Sequence, residues 1–544
     1  MDKRTLKVLS LSALAILLSS CTNPAPVKDL VSESNFWGIS SGVKVVRDRA
    51  RDYYSHLEKE TKVEIKSCRG EYEMGQIVVT APHDVDDYFA TVSTLKSQDG
   101  FSIPKSNVKV YGAKYVNVHT VYDSATGELP GYFPDALVPI EALRKFNDNK
   151  IKQGDNQSIY FVVETPFNQK PGLYKGEITI TLDNTVRKFP ISVEVYEMQI
   201  NQEVHARSSF EVVWPFESSE LDSSNQMVEK YAKELLEYRL SPHTIAHKTD
   251  NTDADIYNYT EKAYQFMQDP RCTNVSINEK IIDIDHYIGQ TFDENVLKKY
   301  LSSFFVKSME ENFNMFKKTS FFMGGIIDEP EDRKENEPWL PARTKYVCER
   351  YKVCIDELAD DLENVNKNHP MHDELIESLR NVRNIVSTHY HEFYEDSIET
   401  FCPKVRYFHT PEQRALYADQ EEKWWYTCVD PKAPYPTYHT EDRLSSPRLL
   451  SWMQANYDIT GNLFWATNFA TKMEDGINMP MDDYYNSDAD RYEGCNGDGY
   501  LFYPAKQYEL DRPVGSLRLY AIRDGLEEYE LLYNIKENMK ENEL

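Results

Sequence analysis

Phe321-Phe-Met-Gly-Gly-Ile-Ile-Asp328-Glu329-Pro330 is an apolar run that stops on two acids and a proline. Residues 321–327 carry no charge, which predicts a strand buried on both faces, as in a parallel sheet. Pro330 has no N–H to give to a ladder, so the strand ends before it. Two carboxyl groups at the end of a buried strand suit glycosidic chemistry, in which one acid stays protonated and the other stays charged. The dipeptide alone says little, because Asp293-Glu294, Asp356-Glu357 and Asp373-Glu374 repeat it in the same acidic chain. Its flanks decide the fold.

Upstream, residues 35–52 suggest a short helical lead-in. Residues 72–79, 106–116, 158–164, 176–182 and 189–195 then alternate as strands between Pro, Gly, Asn and Asp turns. Such a series predicts an antiparallel β-sandwich over residues 35–200. After Met198 strands and helices alternate. Strands are expected at 208–214, 241–247, 321–327, 405–408, 423–428 and 462–468. Helices are expected at 224–239, 295–317, 343–365, 372–399, 446–457 and 515–540. With no internal repeat, the economical architecture for residues 201–544 is a (β/α)8 TIM barrel behind the sandwich, an α/β fold overall.

In such a barrel the reactive groups sit at the C-terminal strand ends. Asp328 and Glu329 end the strongest strand and are the catalytic candidates. Trp214, Trp425 in Trp424-Trp425-Tyr426, and Trp465 and Asn468 end others, and would line a sugar pocket with aromatic walls. Adjacent strand residues face opposite ways, so only one of Trp424 and Trp425 can turn toward the pocket.

The formal charge is −28 and the pI near 5.0, which argues against nucleic acid, anionic lipid and polyanionic glycans, and favours a neutral carbohydrate partner. The N-terminus reads as a processing signal. Lys3, Arg4 and Lys7 precede a short apolar run at 8–18, and Leu18-Ser-Ser-Cys21 follows. This resembles a bacterial lipobox: residues 1–20 would be removed, Cys21 lipidated, and residues 21–34 left as a tether. The location implied is the outer membrane of a bacterium, with periplasmic or surface exposure left open. Membrane contact is then only through the anchor. Seven further cysteines, an odd number without a CxxC pair, leave at least one thiol unpaired within a chain. His369, His372, His389 and His391 lie in charged, helical-looking sequence and read as solvent-facing, so no metal or cofactor is expected.

Several segments in order resemble glycoside hydrolase family 123. In the front part these are Tyr132-Phe-Pro-Asp-Ala-Leu-Val-Pro139 and Pro171-Gly-Leu-Tyr-Lys-Gly-Glu-Ile178. Behind them come Tyr238-Arg-Leu-Ser-Pro242, the Asp328-Glu329-Pro330 strand end, Trp424-Trp425-Tyr426-Thr427-Cys428 and Gly461-Asn-Leu-Phe-Trp465. The closing block is Gly497-Asp-Gly-Tyr-Leu-Phe-Tyr-Pro504 with Leu517-Arg-Leu-Tyr-Ala-Ile-Arg-Asp-Gly-Leu-Glu-Glu528. The resemblance implies a β-N-acetylgalactosaminidase or related hexosaminidase. In it Glu329 is the general acid/base, and Asp328 orients the substrate's 2-acetamido group as that group attacks the anomeric carbon. Tyr426 is the candidate to bind the acetamide oxygen. Glu528 stands where the family often has Asp, in a block expected to be structural. Two other functions fit the same fold: an inactive glycan-binding lipoprotein, or a related glycosidase for another sugar.

Overall fold

The computed structural model describes residues 31–213, 225–246, 250–277, 293–324, 326–469, 471–474, 477–480, 483–492 and 494–543. Cys21 and Trp214 lie outside them.

The front of the chain is β-rich. Its strands are β1 (Phe36–Ile39), β2 (Val63–Arg69), β3 (Tyr72–Thr80), β4 (Tyr88–Val92), β5 (Leu95–Lys96), β6 (Ser102–Ile103), β7 (Val108–Val118), β8 (Gly131–Pro139), β9 (Asn156–Glu164), β10 (Gly172–Leu182) and β11 (Thr185–Gln199). One sheet has the order β1-β3-β9-β7-β8; the other runs β2-β11-β10-β5-β6, with β4 also on β10. Alternation sets the register of β11, whereas β3, β8 and β9 bury consecutive residues on both faces. In β11, Phe189, Ile191, Val193 and Val195 are buried while Lys188, Pro190 and Glu194 face solvent. Buried residues of both sheets, among them Ile77, Phe161, Ile178 and Val193, belong to one continuous apolar core. The helical lead-in expected at 35–52 is instead β1, paired antiparallel with β3, and a turn of 3-10 helix at Arg51–Tyr54. Phe36, Trp37 and Ile39 are all buried, which a strand covered on both faces allows and a surface helix does not.

Parallel strands follow: β12 (Arg207–Phe210), β13 (Val275–Ser276), β14 (Thr319–Phe322), β15 (Asn384–Val386), β16 (Thr400–Phe401), β17 (Trp424–Tyr426) and β18 (Gly461–Phe464). They form two arcs, β12-β18-β17 and β13-β14-β15-β16. A bridge from Lys404 to Tyr426 links the arcs, and a bridge from Pro242 to Phe210 extends the first. Of the strand expected at 241–247, the described residues pair at that bridge, where Phe210 N donates to Ser241 O at 2.9 Å and His243 N to Phe210 O at 2.8 Å; residue 247 lies outside the described residues. Side chains add to these bonds, with Ser241 N donating to Ser208 Oγ at 2.8 Å and Ser241 Oγ 2.8 Å from Thr273 Oγ1.

Other elements differ in extent from the sequence expectation. The helix expected over 372–399 stops at Arg380, and β15 follows inside what looked like charged helix. Three buried residues are too few to show a period against such flanks. The strand expected at 405–408 is a 3-10 turn, and the pairing lies upstream in β16. Among the described residues all seven cysteines are free thiols, and no helix is long and apolar enough to cross a membrane.

The two parts of the chain are locked together through a wholly buried ion pair. Arg518, in the closing helix Leu517–Glu543, donates from Nε and Nη2 to Asp135 on β8 at 2.8 and 2.7 Å. Tyr503 Oη also donates to Asp135, at 2.6 Å. Arg523 in the same helix lies over the rings of Tyr72, Tyr238 and Tyr520, so Arg523-Asp524-Gly525 is packed structure.

Candidate active site

The C-terminal ends of β14 to β17 converge. β14 is shorter than the sequence suggested: it stops at Phe322, and Met323 makes one more bond, to Ile385 O at 2.9 Å. The chain then folds back, with Ile326 N and Ile327 N both donating to Met323 O at 2.8 and 2.6 Å. Asp328 and Glu329 therefore stand on a loop above the strand. Glu329 has φ 45° and ψ 52°, a left-handed backbone that costs a non-glycine residue on the order of 1 kcal/mol or more. The short helix Pro330–Arg333 starts directly after it, and Arg333 N donates to Glu329 O at 3.0 Å.

Each acid has its own partners. Asp328 accepts from Ser387 Oγ at 3.2 Å, just past β15, and from Arg333 Nη1 at 3.2 Å. Ser387 Oγ in turn accepts from Glu329 N at 3.4 Å, so one hydroxyl holds both positions. Glu329 accepts from the Tyr426 hydroxyl at the end of β17, and its Oε1 lies 3.1 Å from Lys404 Nζ. Lys404 also donates to Asp332 at 2.7 Å. Half of the Asp328 side chain and about a quarter (23 %) of Glu329 remain open to solvent, so a ligand can reach both acids.

Crowding by protein, then the Glu329 charge, push the Asp328 carboxyl up to about 6. Burial opposes the Lys404 charge, but Glu329 and Asp332 hold the ammonium above its ordinary value. Burial and then Glu329 push the Tyr426 phenol well above its usual range, so it stays a donor. The arrangement is two adjacent carboxyl groups, a cation and a neutral phenol around one opening. It can move a proton at Glu329 and accept a hydrogen bond at Asp328.

The aromatic candidates separate. Tyr426 touches the pair. Trp424, on the same face of β17, is fully buried edge-on to Phe322 at 5.1 Å, and Trp425 packs on the opposite side against Phe408 at 5.7 Å. Both indoles are fully buried, so neither is open to a ligand. Asn468 spends its amide on Val213, accepting from N at 2.8 Å and donating to O at 3.1 Å. Trp465 donates from Nε1 to buried Asp498 at 2.9 Å and packs on Tyr492, whose hydroxyl is pushed up by burial and then by Asp498, Cys428, Asp328 and Glu329. Burial raises the Asp498 carboxyl to about 6.

Lys404, Asp332, Ser387, Arg333 and Tyr492 were not singled out from sequence. Lys404 follows Phe401-Cys402-Pro403, an apolar strand end with a proline stop. The 372–399 helix expectation hid Ser387 and misplaced His389, which stacks on Tyr407 at 4.4 Å with its Nδ1 4.0 Å from Asp332.

Comparison with known proteins gives the family. The glycoside hydrolase 123 catalytic domain matches residues 326–535, and the glycoside hydrolase 123 N-terminal domain matches residues 49–182. A family 123 glycoside hydrolase from Clostridium perfringens, described for glycolipid glycan hydrolysis, superposes with a TM-score of 0.59 at 15 % identity. That superposition covers 93 % of this chain and 90 % of that one. A β-glucuronidase 2 from Bacteroides uniformis reaches a TM-score of only 0.29 at 10 % identity, over 81 % of this chain and 48 % of its own, too loose to carry an argument. No curated protein sequence matches. With both domain models in order along the sequence, and the carboxylate pair inside the catalytic one, the chain belongs to glycoside hydrolase family 123.

Proposed function

We propose that this glycoside hydrolase releases terminal β-linked N-acetylgalactosamine from glycans or glycolipids, with retention, by participation of the substrate's own 2-acetamido group. The observation that carries the proposal is the side-by-side placement of Asp328 and Glu329. Neighbouring residues cannot flank a sugar ring from opposite faces, as acid and nucleophile do in the two-carboxylate mechanism. They can serve neighbouring atoms. Glu329 gives its proton to the glycosidic oxygen while the acetamide oxygen attacks C1 and the C1–O bond breaks. Asp328 accepts from the acetamide N–H as positive charge develops there. Water then adds to C1, giving its proton to Glu329, and the cyclised acetamide reopens.

The glycolipid work on the Clostridium perfringens relative supports a lipid-linked glycan as one substrate class. The two arcs, with the 241–243 segment between β12 and β13, are read as a (β/α)8 barrel over residues 201–544, behind a β-sandwich over 35–200. The lipobox-like Leu18-Ser-Ser-Cys21 supports export and anchoring at Cys21, and Cys21→Ala is expected to abolish incorporation of labelled fatty acid.

A panel of chromogenic β-glycosides tests the specificity: N-acetylgalactosaminide is cleaved fastest, and plain galactoside not at all. A thiazoline mimic of the cyclised intermediate inhibits. Rapid galactoside cleavage without thiazoline inhibition removes acetamide participation.

Asp328→Asn lowers kcat by about a hundredfold or more, since Asn keeps the shape and loses the charge. Asp328 works ionised, so wild-type kcat falls as pH drops through about 6, where its carboxyl takes up a proton. Residual activity of the Asn variant lacks that acidic limb. An unchanged pH profile in the variant assigns the limb to another group.

A further inference from the structure

A cavity of about 300 Å³ opens on the seam between the two parts of the chain, with neither carboxylate of the pair in its lining. The helix Ser445–Tyr457 presents Ser445, Arg448, Leu449 and Trp452 to it, a spacing of three, four and seven that puts them on one face. Asp524 and Glu528 of the closing helix form the second wall, and the loop at Ser41-Gly42 the third.

Three properties set this cavity apart from a packing defect. Trp452 is 46 % exposed and Leu449 50 %, so an apolar platform is left uncovered. The Trp452 indole is fixed: Nε1 donates to Glu528 at 2.6 Å, and Glu528 is held in turn by Arg448. Asp524 is only 7 % exposed, its Oδ1 has no hydrogen-bond partner, and its other oxygen lies 3.9 Å from Arg448. A buried carboxylate oxygen with no donor is costly and accounts for itself best when a ligand supplies one.

An indole platform, acceptors from two carboxylates and donors from one guanidinium match the apolar face and hydroxyl rim of a pyranose. The volume suits one or two sugar rings, at the small end of ligand sites. An anionic ligand would meet Asp524 and Glu528. An acyl chain would leave Asp524 Oδ1 without a donor. We propose that this seam cavity is a second, non-catalytic carbohydrate site, which holds a neutral glycan while the carboxylate pair cleaves another end or a neighbouring chain. The choice of ligand class rests on the function proposed above.

The full chain carrying Glu329→Gln is titrated by calorimetry with an oligosaccharide ending in β-N-acetylgalactosamine. Two binding sites are expected. Adding Trp452→Ala weakens the second about tenfold or removes it, and Asp524→Asn does the same without changing side-chain shape. In an otherwise wild-type chain, Trp452→Ala leaves kcat/KM on a small chromogenic glycoside unchanged. On glycolipid clustered in vesicles it lowers the rate severalfold, because two sites then engage one surface. A single binding site, insensitive to Trp452→Ala and Asp524→Asn alike, overturns the proposal. If the catalytic reading is what fails, the wild-type chain leaves the chromogenic N-acetylgalactosaminide uncleaved, a result independent of the site count.

Discussion

Glu329→Gln lowers kcat on natural glycans by about 10²–10⁴-fold, while substrate still binds. The amide oxygen of Gln still accepts from the Tyr426 hydroxyl and still faces Lys404, so the loop and its left-handed backbone are kept. What is lost is the transferable proton. A glycoside with an activated phenol as leaving group departs without protonation, so its cleavage falls far less than that of an alkyl glycoside. Parallel kcat measurements on both substrates, with a thermal melt to show the fold intact, decide the matter. Wild-type turnover of natural glycans by the Gln variant removes the assignment of Glu329 as acid.

The second large effect lies outside the carboxylate pair. Asp135→Ala costs about 3–5 kcal/mol, because it strands the Arg518 guanidinium in an interior from which both side chains are wholly excluded from water. Arg518 keeps only the carbonyls of Tyr438 and Gly497, at 2.8 and 2.6 Å, and these do not cancel a charge. The double variant Asp135→Ala with Arg518→Met is expected to recover much of the loss, since an apolar pair of similar volume carries no uncompensated charge. Urea unfolding followed by tryptophan fluorescence measures both. A single variant as stable as the wild type, or a double variant no better than the single, contradicts the role given to this pair.

Where the sequence was legible, a long periodic signal made it so. The alternation in β10 and β11 and the helices Ser445–Tyr457 and Leu517–Glu543 extend over enough residues for one face to declare itself. The parallel strands are only two to four residues long; β12, β14, β17 and β18 overlap expected strands, while β13, β15 and β16 carry too short a signal to show. β15 was lost inside charged flanks. β14 was over-extended because its apolar character continues through Ile326 and Ile327, which are buried after the chain has already turned. The carboxylate pair was found because it ends that run. Lys404, Ser387 and Arg333 were not, because their roles depend on four strands arriving at one place, and adjacency in space leaves no mark on a single sequence. The family resemblance supplied Tyr426, and the structure seats its hydroxyl on Glu329. The same rule of opposite faces that made Trp424 and Trp425 alternatives holds, yet both indoles pack inside.

The left-handed backbone at Glu329 has a practical corollary for anyone breeding a sturdier version of this protein. Glycine adopts that conformation without penalty, and asparagine nearly so. A library sorted only for heat resistance will therefore enrich glycine or asparagine at position 329, and with the role proposed for Glu329 its hardiest winners lose turnover.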